Sequence, residues 1–204
     1  FEGEYYQHTL MNPTFSPEPN PFGAPKIFMA GVGPKMTEVA GEVADGFFVH
    51  PFHSAKSFDE LSMPNVQAGL DKAGKSLPQF VISAQVVTAT GTSDQQLEAA
   101  IFSARNQIAF YGSTPAYKPV LAVHGWEGLQ EQWGNMAREG KWIEMASSVT
   151  DEMLETFALV GTPEQVAKKM KIRCGGKMDR VSPVIYQPDI ELLTVLLKAL
   201  KAEF

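Results

Sequence analysis

Cysteine is almost missing from this chain of 204 residues: there is one, Cys174. A lone thiol closes no disulfide within the chain and is too few for a structural zinc site unless histidines supply the rest, so a reducing, cytoplasmic setting and no metal are expected. An excess of positive charge is missing too. Seventeen lysines and arginines stand against 23 aspartates and glutamates, a formal net charge of −6. No global field draws in phosphate backbones or anionic lipid, and nucleic acid is not expected as a partner. No apolar run nears the ~18 residues of a membrane span, and the first residues lack the basic and apolar regions of a secretion signal. What is present is ordinary for a compact domain: 44% hydrophobic and 20% charged residues, in a length that, at about 150 residues per domain, suits one domain and allows two small ones. The opening, FEGEYYQHTL, reads as the middle of a longer chain, and a fragment is expected.

Residues 12–25 hold five of the fourteen prolines and read as an extended connector, because proline fixes φ and removes a backbone donor. Regular structure follows. Lys26–Ala30 is a short apolar strand, and Met36, Val39, Ala40 and Val43 have the spacing of a helix over 34–44 with Pro34 at its first turn. Gly46–His50 is a second strand, Ser54–Ala73 a helix interrupted near Pro64, and Phe80–Thr90 the strongest strand, rich in β-branched residues. After Gly91 a capped helix runs to about residue 112. Residues 111–150, dense in aromatics and glycine, read as an insertion with one helical stretch over 128–139. Phe157–Val160 is a short apolar segment, 163–173 a capped helix, Arg180–Tyr186 a last strand and Asp189–Phe204 an amphipathic helix. Four β-to-α units with long crossovers predict an α/β fold of parallel strands covered by helices. Periodicity leaves an open doubly wound sheet and a barrel both in play, and four units are half of an eight-unit barrel.

Chemistry is expected where strands hand over to helices. Ala30, Gly31, Val32 and Gly33 lie between a strand end and a helix start, where free N–H groups and the helix dipole favour an anion, and Lys35 adds charge. The same glycines serve a tight turn equally well. His50 and His53 follow the second strand, placing a general base or substrate contact, or a plain rim residue, at the end where α/β folds keep their sites. Ser83 and Gln85 share one face of the third strand. In the insertion, Tyr111, Tyr117, His124, Trp126, Trp133 and Trp142 supply large rigid surfaces with polar tips, suited to a planar ligand, to packing or to an oligomer interface. The charges around Gly175-Gly176 read as a solvated turn.

These motifs resemble the luciferase-like monooxygenases and deazaflavin-dependent oxidoreductases over nearly the whole chain. The resemblance rests on FEGEYY, on PKIFMAGVGPKMTEVAGEVADGFFVHPF, on IAFYGSTPAYKPVLAVHGW, and on FALVGTPEQVAKKM followed by GGKMDRV. The block IAFYGSTPAY with HGW is similar to the subgroup that depends on the deazaflavin coenzyme F420.

The resemblance implies an eight-stranded (β/α) TIM barrel of which this chain is the C-terminal half, strands five to eight, with residues 1–25 a connector or hairpin from the first half and 26–204 the half-barrel carrying insertion 111–150. It implies hydride transfer between F420 and an unknown small molecule, with FMN as the alternative coenzyme. Ala30, Gly31, Val32, Gly33 and Lys35 would bind coenzyme phosphate. His50, Tyr111, His124 and Trp126 would line the substrate side. The histidine and acidic residues that the family uses against the deazaflavin ring lie in early strands that no position here matches, so no catalytic base is named. The competing expectation is a non-catalytic half-barrel whose unprotected sheet edges pair with another copy. A homo-oligomer is expected on either reading.

Overall fold

The computed structural model describes residues 1–204. Residues 1–27 contain no helix; a small turn is closed by an antiparallel bridge between Glu2 and Gln7, with the His8 N–H donating to the Phe1 carbonyl at 2.8 Å. Regular structure begins at β1 (Phe28–Gly31), followed by α1 (Pro34–Val43) and β2 (Gly46–Val49). Ser54 caps α2 (Ala55–Ser57), whose path passes through a π-helical turn, Phe58–Ser62, into α3 (Met63–Lys72). The interruption expected near Pro64 is this π turn, and the proline sits harmlessly in the first turn of α3.

All strands pair in parallel. The long β3 (Val81–Thr90) is the hub. Ser83 faces Phe48 of β2 on one side and Arg180 of β5 (Arg180–Val184) on the other, while Val87 faces Ala158 of β4 (Ala158–Gly161) and Val184 of β5. A strand has two edges, so β2 and β4 take successive stretches of one edge and β5 takes the other. Pro183 is tolerated in β5 because that strand has β3 as its sole neighbour. The short apolar segment expected at 157–160 is therefore a true strand, β4.

Two covering layers bury one face of this sheet. Phe47, Val49, Ile82 and Ala84 pack beneath Ala40 of α1 and Val66 and Leu70 of α3. Val86 and Leu159 pack beneath Val166 and Met170 of α9 (Pro163–Cys174) and Leu196 of α10 (Ile190–Glu203). Gly41 and Gly69 let α1 and α3 touch backbone to backbone: a Cβ on Gly69 would stand 1.9 Å from the Glu38 carbonyl oxygen.

The helix expected after Gly91 departs from this layering. It forms as α4 (Asp94–Gly112), but its Ala100, Ala104 and Ile108 join a separate cluster with Trp133, Met145, Leu154 and the upper β3 residues Val87 and Ala89. Side chains alternate along a strand, so Val87 and Ala89 face away from Ala84 and Val86, and α4 follows them. The third covering helix is α9 instead. The helical block thus comprises α4, α5 (Lys118–Ala122), α6 (Glu127–Arg138), α7 (Trp142–Ser147) and α8 (Asp151–Phe157); α5, α6 and α7 lie within 111–150, where a single helix over 128–139 was expected. Gly125 and Gly140, at φ 75° and 73°, cut it into short helices.

Candidate functional site

The carboxyl ends of the parallel strands converge on one rim. At β1, Ala30 is the exposed third residue of the strand, Gly31 ends it, and Val32 and Gly33 form the turn into α1. A Cβ on Gly31 would meet the Met36 Cβ at 3.0 Å, so this glycine permits the close return of the chain. Gly33 has no such internal reason: its φ of −79° suits any residue, and a Cβ there would meet nothing within 4 Å. It is the N-cap of α1, no side chain caps the helix, and its first turn holds no acidic residue. The helix start therefore keeps its positive pole open, with exposed Lys35 beside it.

At β2 the chain turns through His50-Pro51-Phe52-His53-Ser54. The Phe52 N–H donates to His50 Nδ1 at 3.1 Å, and Tyr117 Oη lies 3.2 Å from His50 Nε2. Burial lowers the pKa of His50. His53 is 3% exposed; its Nδ1 lies 2.8 Å from the His50 carbonyl, to which it donates, and its Nε2 is buried without a partner. Burial above all holds its pKa down at about 4, the proximity of Arg173 and His50 adding to the effect against the bond to His50. A cavity of about 10 Å³, lined by Gly31, Val32, His50 and His53 among others, joins this turn to the β1 turn.

The helical block brings its aromatics over the same rim. His50 meets Tyr111 edge-on and Tyr117 at a tilt, both at 4.8 Å between ring centroids, and Phe52 stacks on Phe157 at 4.5 Å. Val32, Tyr111, Tyr117, Trp126 and Tyr186 pack around that cluster. Burial pushes the Tyr186 phenol far above its ordinary range, with Tyr111 adding to the effect. The Tyr117 phenol is raised by burial and then by Tyr111.

Of the expected substrate-side residues, His50 and Tyr111 are brought into ring contact here, and Trp126 meets the cluster at Phe157, 6.1 Å between centroids. His124 is placed differently. It stacks on Trp126 at 4.8 Å, but its Nε2 lies 2.8 Å from Ser54 Oγ, which also accepts the Ser57 N–H at 2.9 Å. Lys56 Nζ donates to the Val123 carbonyl at 2.7 Å. His124 is thus half of a clasp between the turn after α5 and the start of α2. Trp133 is fully buried, its Nε1 donating to Ser148 Oγ at 2.7 Å, and Trp142 lies 47% exposed on α7. Phe52, Ser54, Phe157 and Tyr186 were missing from the sequence-derived candidates. Tyr186 was within reach of the strand-end rule, being two residues past β5.

The residues present fit a phosphate-bearing coenzyme with a planar ring. An uncapped helix start with open space at Gly33 suits the phosphate, and Val32 connects it to aromatic walls that suit the ring. No group of three or more His, Cys, Asp or Glu side chains is arranged to hold a metal ion.

The chain is similar to known proteins in sequence and in fold. Residues 1–174 match the model of the luciferase-like monooxygenase family. An uncharacterised protein of Mycobacterium tuberculosis is 43% identical over 198 residues, 97% of this chain and 58% of that protein. The 5,10-methylenetetrahydromethanopterin reductase of Archaeoglobus fulgidus is 33% identical over 177 residues, 83% of this chain and 49% of the reductase. The solved coenzyme F420 dependent tetrahydromethanopterin reductase of Methanopyrus kandleri superposes with a TM-score of 0.65 at 24% identity, covering 85% of this chain and 49% of that one. The chain therefore spans about half the length of the relatives it matches. Parallel sheet, open helix start and aromatic rim sit on a sequence that matches one family model over most of its length: the chain belongs to the luciferase-like monooxygenase family.

Proposed function

We propose that the protein acts as an F420-dependent oxidoreductase, transferring hydride between the deazaflavin coenzyme and a small organic substrate. The observation that carries this reading is the uncapped start of α1, with space open at Gly33, connected through Val32 to the aromatic rim. The kinship with F420-dependent reductases supports it. The coenzyme, when bound, supplies the hydride; the chain supplies position. Backbone at Ala30–Gly33 and the pole of α1 hold phosphate, and Lys35 adds an exposed, salt-sensitive charge. His50, Tyr111, Tyr117 and Trp126 form the substrate side, and His124, through Ser54, holds the α5 turn over it.

The sheet is proposed to be the C-terminal half of an eight-stranded barrel. Supporting this, β1 and β5 each keep one free edge, and Phe48, Gln85 and Ser182 lie exposed on the part of the second face that the helical block leaves open. A reducing compartment suits the buried, unpaired Cys174, and no helix is long and apolar enough to cross a membrane.

The test is titration of the protein with F420 and, separately, FMN, followed by fluorescence. F420 is expected to bind, Gly33→Asp to weaken it at least tenfold, about 1.4 kcal/mol, and Lys35→Ala to weaken it less and only at low salt. Tight FMN binding without F420 binding replaces this reading with a flavin-dependent monooxygenase.

A further inference from the structure

We propose that Tyr117 is the hydrogen-bond donor that orients an uncharged acceptor atom of the substrate, a carbonyl oxygen or ring nitrogen, and that His50 is the positioning residue that aims it. The proposal rests on the reading of the rim as the substrate side and adds to it the chemical class of the group recognised.

A backbone N–H can only donate, so the Phe52 N–H pointing at His50 Nδ1 from 3.1 Å requires a lone pair there. The neutral ring then carries its proton on Nε2. That nitrogen lies 3.2 Å from Tyr117 Oη, so the imidazole donates and the phenol accepts. Tyr117 keeps its own proton for something else, and no other group of the chain accepts it. A second constraint locks the donor side: buried His53 donates from Nδ1 to the His50 carbonyl at 2.8 Å, fixing the backbone that carries the imidazole. The groups around the phenol favour an uncharged ligand. Its ring neighbours are His50, Phe52 and Tyr111, at 4.8, 6.0 and 5.9 Å between centroids, with no lysine or arginine among them. Burial opposes ionisation of His50 and of Tyr117 alike, which keeps both in the forms the geometry demands. A carboxylate placed among these rings gains no cation, whereas a carbonyl gains one directed donor and flat apolar walls.

Two measurements decide it. Nitrogen-15 NMR of the histidine rings at neutral pH is expected to show His50 protonated on Nε2 alone; an Nδ1–H tautomer or an imidazolium overturns the assignment. Titration with cyclohexanone, followed on the Cζ resonance of Tyr117, is expected to shift that resonance, while cyclohexanecarboxylate does not. Tyr117→Phe should weaken cyclohexanone about fivefold, the size of one neutral hydrogen bond. His50→Phe should approach the same loss with the phenol still present, and His50→Gln, which keeps a side-chain N–H donor, should recover most of it. Equal binding of ketone and carboxylate, no shift in the wild type, or unchanged affinity in Tyr117→Phe overturns the proposal. F420 binding, measured on the same samples, reports separately on the coenzyme reading, because Tyr117→Phe leaves the α1 turn intact.

Discussion

His53 shows how one buried side chain sets a pH dependence. Its pKa falls from 6.5 to about 4 in the folded chain, so over that window the unfolded chain binds the proton that the folded one refuses. The sign follows: the stability due to neutral His53 is complete above about pH 6.5, drains as pH falls toward 4, and changes no further below it. At about 1.4 kcal/mol per unit the full effect is about 3 kcal/mol. Urea unfolding of the wild type and of His53→Gln at pH 7 and pH 4.5 is expected to show the larger loss in the wild type. Strand-end position made His50 and His53 legible as rim residues in the sequence. Their bonding was not, because whether Nδ1 of His50 faces an N–H is decided by the turn through Pro51, on which hydrophobic period is silent. His124 was legible as an aromatic neighbour of Trp126 and its bond was not: the fold binds its Nε2 to Ser54, seventy residues away.

Helices and strands offer sharper tests. Gly69→Ala drives a Cβ against backbone that cannot turn aside, since the clashing atoms are the Glu38 carbonyl and the Glu42 nitrogen. A loss of about 3 kcal/mol or more is expected in urea unfolding, at the upper end for overpacking, whereas Gly33→Ala, facing open space, should cost little. Arg173 of α9 donates to the carbonyls of Glu155, Thr156 and Phe157, closing the end of α8 with a half-buried cation. Arg173→Met should cost about 2 kcal/mol and loosen α8 first, read as faster amide exchange over residues 151–157. Strand and helix positions were largely legible because β-branched runs and i, i+3, i+4 spacing record burial. The layer to which α4 belongs was not, since an apolar stripe says that a helix face is covered and nothing about what covers it. The strand β4 was hidden, unlike the equally short β1 and β2, because it follows α8 directly with no glycine or proline to mark its start.

At the scale of the molecule, the free edges of β1 and β5 and the exposed Phe48 leave one side of the sheet unprotected. Light scattering is expected to show a mass above one chain that falls toward the monomer in Phe48→Lys; a concentration-independent monomer in the wild type counts against association through this face. The overall class was legible because alternation of strand and helix dictates parallel pairing. That β3 serves three partners was not, since it depends on where the chain returns after 67 residues. The return point matters. Thr90 and Gly161 are register partners in neighbouring strands, so the chain leaves the sheet and rejoins it a strand's width away, and Thr90 followed directly by Thr162 and α9 would make an ordinary strand-to-helix turn. Of what lies between, residues 91–157 pack on the other face of β3 with Phe52, Val87 and Ala89, so mutation can lengthen, trim or replace them while the face beneath α1, α3 and α9 stays as it is. Such an arrangement lets selection rebuild what the rim recognises without renegotiating the fold that holds it.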